Sequence, residues 1–292
     1  MRGREMLRWM GTAGVGLLAL LLLLIAGAAS ASSQSVKTYG PVRDFGGTQV
    51  RSIAPEPSLP VPSGGGSGAQ VASVASVRPD QILSNQLTYT RWAYVARIAN
   101  IYASPSGKAR IITQLHWYTE DGFNEIYPAL RAHWARNRRE WVEIRIPGRP
   151  NGRVGWVLRN ALGQFHMTHQ LLVINLATER LYFYYRGHRI WSAPVGEGAP
   201  NTPTPTGHFW IREEFVLTGD PSSGYYPYAF GTADYSTLTD WPGGGVVGIH
   251  GPYGATWNQI PGRISHGCVR LHVPDDFWLG NHLHLGTPLL VK

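Results

Sequence analysis

"RISHGCVRL" (263–271) holds Cys268, the only cysteine of the chain. A free cysteine usually behaves as a small buried hydrophobe, so its chemical meaning depends on its neighbours. Here they are Ser265, His266, Gly267 and Arg270, and a second histidine, His250, ends the upstream run "VVGIH" (246–250). A thiol becomes a strong nucleophile as thiolate, which needs a base or a positive environment. A histidine held at a strand end can be that base. Residues two apart on an extended chain point the same way, so an extended stretch places His266 and Cys268 on one face. Gly267 allows close approach of a ligand to the backbone. Backbone amides near Cys268 suit a developing oxyanion.

The N-terminus sets the compartment. "MRGREMLRW" carries Arg2, Arg4 and Arg8, and "GTAGVGLLALLLLLIAGAASA" runs uncharged from Gly11 to Ala31, ending in the small-residue pattern "ASA". Residues 1–31 read as an export signal, either cleaved or kept as a membrane anchor. The rest of the chain is then expected in the periplasm, in the cell wall or on the extracellular face. Exported proteins often carry disulfides, but a single cysteine forms no internal bridge. A leftover thiol in such a chain reads as a reactive group or an intermolecular partner.

Organisation follows from composition. Of 292 residues only 15% are charged and 11% are aromatic, with 35 Gly and 21 Pro. This suits short strands joined by turns, so the expected class is mostly β. Residues 32–88, with "APEPSLPVPSGGGSGAQ" (54–70), read as a disordered linker, stiff in its proline half and loose in its glycine half. Residues 89–165 read as a small barrel of short strands. Within them "NEIYPALRAHWARNRRE" (124–140) reads as a helix or a long loop. Residues 169–292 read as a second, mostly-β domain: "QLLVINLATERLYFYYRGHRIWSAPVG" (170–196) is a run of strands and turns, "VPDDFWLGNHL" (273–283) a short helix, and "TPLLVK" (287–292) a closing strand. Residues 213–241, rich in Tyr, Gly and Ser, read as a long connection covering a substrate.

Charge separates the two domains. Residues 89–165 hold twelve Arg or Lys against five Asp or Glu, whereas residues 166–292 hold seven against nine. A basic face steers toward polyanions. Outside the cell these are anionic wall polymers or a membrane surface rather than nucleic acid. No HExxH or CxxC spacing occurs, so neither a metal site nor a cofactor is expected. "DWPGGGVVG" (240–248) lacks the Lys-Ser/Thr of a phosphate loop.

Two resemblances sharpen this reading. "IYASPSG" (101–107) and "WVEIRIPGRPNGRVGWV" (141–157), in that order, resemble the bacterial SH3-like domains found before cell-wall enzymes. "IHG" followed by "SHGCVRL" is similar to the signature of L,D-transpeptidases with the YkuD-type catalytic domain, and "PVGEGAPNTPTPTGHFWI" (194–211) also resembles a stretch of that family. The resemblance covers about 169–292, with one departure, Pro252, where many relatives carry Thr.

It implies a β-sandwich catalytic domain with Cys268 as nucleophile and His250 as general base. The Gly251 carbonyl would hold the second ring nitrogen, and His266, Gly267, Ser265 and Arg270 would form or support the oxyanion and substrate pocket. The implied substrate is a tetrapeptide stem of peptidoglycan, acylating the cysteine with loss of D-alanine and passing to an amine as a 3→3 cross-link. The implied inhibitors are carbapenems. Two alternatives stay open: a wall peptidase or L,D-carboxypeptidase using water as acceptor, and a non-catalytic wall-binding protein.

Overall fold

A computed structural model of the chain describes residues 79–239 and 242–292. The export segment and most of the linker lie outside these residues. Among the described residues no helix is long and apolar enough to cross a membrane.

The first β unit consists of β1 (Gln81–Ile82), β2 (Thr90–Tyr94), β3 (Asn100–Tyr102), β4 (Ile111–Gln114), β5 (Ile126–Trp134), β6 (Glu140–Arg145), β7 (Val154–Leu158) and β8 (His166–Thr168). They form one antiparallel sheet in the order β4-β3-β7-β6-β5-β2-β8, with β1 beside β5. Ile101, Tyr127, Ala129, Val142, Ile144 and Val157 fill its core. The unit is wider than the expected limits of 89–165. Leu83 is already buried beside β1, and β8 pairs with β2.

The expected helix or loop at 124–140 is instead the long strand β5 and its turn. Tyr127 and Ala129 alternate inward, but a register shift between Ala129 and Arg131 interrupts the period before Ala132 turns inward again. That bulge, together with the arginines, hides the strand from a period-2 reading.

The second unit contains β9 (Gln170–Asn175), β10 (Arg180–Tyr185), β11 (His188–Pro194), β12 (Gly196–Gly198), β13 (Gly207–Trp210), β14 (Phe215–Val216), β15 (Tyr228–Tyr235), β16 (Val246–His250), β17 (Gly262–Ser265), β18 (Val269–Arg270), α1 (Val273–Gly280) and β19 (Pro288–Val291). One sheet runs β11-β10-β9-β19-β13 and the other β14-β15-β16-β18-β12-β17. Their inner faces share one core. Leu172, Ile174, Leu181, Phe183 and Phe209 come from the first sheet, Phe230, Ile249 and Val269 from the second, and Leu279 from α1. Each such side chain contributes about 1.5–3 kcal/mol on burial. Helix α1 begins at Val273 and carries Pro274, Asp275 and Asp276 in its first turn, where proline is tolerated and the helix dipole favours negative charge.

The stretch 213–241 is less a lid than a sheet edge. It contains β14 and the eight-residue β15, a neighbour of the site strand β16. Among the described residues of this stretch, Tyr225 in the turn between those strands and Ser236 just after β15 line the pocket.

The two units are locked together. Trp92 and Ile126 of the first pack on Trp210 and Ala233 of the second, and the Trp210 indole N–H donates to the Ile126 carbonyl at 3.2 Å. Beside them Arg212, 2% exposed, donates to Glu125 Oε1 at 3.0 Å, to Glu120 Oε2 at 3.1 Å and to the Tyr235 hydroxyl at 2.8 Å. Glu125 is equally buried, so this guanidinium compensates a carboxylate that would otherwise stand alone in the interior.

Candidate active site

The site is built on two parallel neighbours, β16 and β18. Their register pairs Ile249 with Val269 and His250 with Arg270. Ile249 and Val269 point into the core. By strand alternation the other face carries Gly248, His250, Cys268 and Arg270. Gly248 has no side chain, and its N–H faces the Cys268 Sγ at 3.4 Å. A Cβ there would lie 3.7 Å from His250 Cδ2 and 4.0 Å from Cys268 Sγ, so this position adjoins ring and thiol alike.

His250 is buried, and its Nδ1 lies 2.7 Å from the Gly251 carbonyl oxygen. A carbonyl only accepts, so Nδ1 carries the proton and Nε2 is the basic nitrogen. Burial pushes the His250 pKa down to about 4, opposed by the Gly251 bond and reinforced by the Arg270 charge. Burial pushes the Cys268 thiol up, with the Gly248 N–H pulling the other way. The resting pair is therefore a neutral thiol beside a neutral imidazole. The close approach of the Tyr226 backbone to Gly251 excludes any side chain there.

Between β17 and β18 the chain is not extended, contrary to the expectation for 266–268. It makes a turn in which Gly267 has φ of 122°, a conformation disfavoured for residues with a Cβ. His266 and Cys268 nevertheless line the same cavity.

Ser265 does not line that cavity. It is buried behind the turn, where its hydroxyl donates to the Cys268 carbonyl at 2.5 Å and accepts the Gly267 N–H at 3.1 Å. The Gly267 amide is thus committed to Ser265 and does not face a ligand. Thr204 donates to the Gly267 carbonyl at 2.8 Å and Thr202 to the Ser265 carbonyl at 3.1 Å. The stretch "NTPTPT" is therefore a bracket for the cysteine turn.

Cys268 lies in a cavity of about 300 Å³ shared with Tyr225, Ser236, Tyr253, Thr256 and Arg270. Arg270 donates to the Thr256 hydroxyl at 3.1 Å and lies 5.5 Å from the Tyr253 ring centroid. Tyr225 stacks edge-on against His250 at 4.8 Å. The sequence reading missed Tyr225, Ser236, Tyr253, Thr256, Thr202 and Thr204. A polar or aromatic residue in a turn carries no local sign of which cavity it faces. Thr202 and Thr204 stood in a stretch already singled out, 194–211, and Tyr225 and Ser236 in another, 213–241. Among the described residues no three His, Cys, Asp or Glu side chains gather in metal-ligating geometry.

Residues 169–291 match the family described as the YkuD L,D-transpeptidase catalytic domain. No curated protein sequence matches the chain. Among solved structures, a mutant L,D-transpeptidase of Enterococcus faecium is 25% identical, over 42% of this chain and 49% of its own, with a TM-score of 0.31. This chain thus spans about half of that protein. An L,D-transpeptidase of Mycobacterium smegmatis is 15% identical over 68% and 99%, with a TM-score of 0.34. L,D-transpeptidase 3 of Mycobacterium tuberculosis, in complex with a faropenem-derived adduct, is 16% identical over 53% and 91%, also at 0.34. These overlaps are partial, and the assignment rests on the family match over the segment that carries both His250 and Cys268. Over residues 169–291 the chain is similar to L,D-transpeptidase catalytic domains of the YkuD type.

Proposed function

We propose that the chain is an exported peptidoglycan L,D-transpeptidase that works through a cysteinyl thioester. The observation that carries this reading is the geometry at Gly248. A side-chain-free position adjoins both a partly buried thiol and an imidazole whose Nδ1 proton is fixed on Gly251.

In the first half-reaction the Cys268 Sγ attacks the stem carbonyl next to the terminal D-alanine, and its proton passes to His250 Nε2. The Cys268 N–H is the proposed donor to the oxyanion, because the Gly267 N–H is held by Ser265. The C–N bond then breaks, and D-alanine leaves with the proton from His250. In the second half-reaction a side-chain amine of another stem attacks the thioester. His250 takes the amine proton, the 3→3 amide forms, and the thiolate regains a proton. Because both groups rest neutral, the proton moves as the S–C bond forms, which general-base catalysis requires. Arg270 supplies fixed positive charge at the pocket edge for a substrate carboxylate.

The first β unit, read as SH3-like, would add affinity for anionic wall polymers through its excess of arginine. The N-terminal segment would deliver the enzyme to the wall, with or without cleavage.

Incubation of the protein with a defined disaccharide-tetrapeptide, followed by mass spectrometry, tests the reading. A cross-linked dimer lacking one D-alanine is expected, together with a Cys268 thioester in the intact protein. A tripeptide product alone would make water the acceptor. No change in the substrate would overturn the reading.

A further inference from the structure

The first β unit reaches the backbone of the segment that walls the pocket. We propose that Arg149, in the turn between β6 and β7, is a positioning residue for acyl transfer at Cys268, an inference that rests on the reading above. Arg149 crosses from the first unit to the connection between β15 and β16. Its guanidinium donates to the Ser236 carbonyl at 2.7 Å and 3.3 Å, to Leu238 at 3.1 Å and to Gly244 at 2.9 Å. It also lies 5.2 Å from the Tyr235 ring centroid. Two residues on, Asn151 donates to the Asp234 Oδ1 and to the Tyr235 carbonyl, both at 3.0 Å, and accepts the Tyr235 N–H at 3.2 Å.

These contacts hold described residues of the connection between β15 and β16. The Ser236 N–H closes the connection on the Gly245 carbonyl at 2.9 Å. Ser236, Gly245, Val246 and Val247 then line the cavity that contains Cys268. The wall stands directly against the cysteine turn, since a Cβ on Gly267 would lie 3.2 Å from the Ser236 Cβ. The position of Ser236 therefore sets how closely an acyl group can approach Cys268.

One planar fork serving three carbonyls is a task for arginine, because a lysine ammonium is a point donor and reaches fewer of them. Arg149 is itself exposed, so its bonds add little to global stability. Their loss should appear at the site.

The experiment uses the full chain with Arg149→Ala, Arg149→Lys and, as a control on the same unit, Arg97→Ala, whose side chain bonds to Asn160 among the described residues. Three quantities are read: acylation of Cys268 by a carbapenem, its alkylation by iodoacetamide, and hydrogen exchange of residues 236–250. Iodoacetamide needs the thiol but no acyl-binding wall. Arg149→Ala should slow acylation about tenfold or more, since a misplacement near 1 Å can cost about 100-fold. Arg149→Lys should recover part of the loss, and alkylation should stay within about twofold, as the His250 environment is untouched. Exchange should rise in residues 236–250 and not elsewhere, and Arg97→Ala should match wild type throughout.

Unchanged acylation in Arg149→Ala, or an equal fall with both reagents, would overturn the proposal. If the carbapenem leaves the wild type unmodified, it is the transpeptidase reading that fails. Exchange then decides the clamp, and unchanged protection of residues 236–250 in Arg149→Ala refutes it.

Discussion

His250 Nδ1 donates to the carbonyl of its own neighbour, Gly251, at 2.7 Å, while burial lowers the ring pKa to about 4 and raises that of the Cys268 thiol. Both directions favour a neutral thiol beside a neutral imidazole at neutral pH over a thiolate–imidazolium pair. Alkylation of Cys268 by iodoacetamide should climb with pH into and beyond the ordinary thiol range, with no plateau between about pH 5 and 8. A plateau there would mean a preformed ion pair. The same burial affects stability. Between pH 4 and the ordinary histidine value near 6.5, the unfolded chain binds a proton that folded His250 refuses, so its contribution is fully present above that range and is lost as pH falls toward 4. Denaturant melts of wild type and His250→Asn across this window should diverge accordingly.

Gly267 offers a sharper test of the cysteine turn. Its φ of 122° and the nearby Ser236 Cβ leave an alanine strained and crowded. Gly267→Ala should cost about 1–3 kcal/mol and slow acylation by displacing Cys268. Wild-type melting and acylation in this variant would show that the turn is not the constraint inferred here.

Much of this site was legible in the sequence because its chemistry is local. A histidine at a strand end and Ser-His-Gly-Cys in one turn announce themselves by residue type and spacing. The strands of 170–196 were legible for the same reason, since Leu181 and Phe183 alternate inward between polar neighbours. The rest depends on contacts between residues far apart in the chain. Ser265 looks like a pocket residue until its hydroxyl is seen spanning the turn to Cys268. The strand β5 was obscured by the register shift after Ala129. Nothing in "PGRPNGR" shows that Arg149 reaches Ser236, and the charge count that marked this unit as basic treats that arginine like any exposed one.

Arg212 and Glu125 couple the two β units, and removing one partner leaves the other charged and buried. Arg212→Met should cost about 3–5 kcal/mol and lower the midpoint of thermal unfolding. Glu125→Met in the Arg212→Met background should restore part of the loss, because no uncompensated charge remains. Circular-dichroism melts of Arg212→Met, Glu125→Met and the double variant measure this. Additive losses in the double variant would refute the pairing.

Carbapenem acylation tests nucleophile, base and cavity together. A strained lactam carbonyl is a good electrophile, and the Cys268 Sγ can attack it from the cavity floor. The S–C bond forms as the lactam C–N bond breaks, and the proton taken by His250 passes to the ring nitrogen. That nitrogen stays tethered to the acyl group, so the adduct persists until water reaches the thioester. Intact-protein mass spectrometry should show one added drug molecule, and peptide mapping should place it on the fragment containing "ISHGCVR". Cys268→Ala should form no adduct while melting as wild type does, since the residue is only partly buried and not in the core. His250→Ala should slow acylation by about 10²–10⁴-fold, the usual worth of a general base. An adduct on another residue, or full-rate acylation in His250→Ala, would show that the buried imidazole does not take the thiol proton.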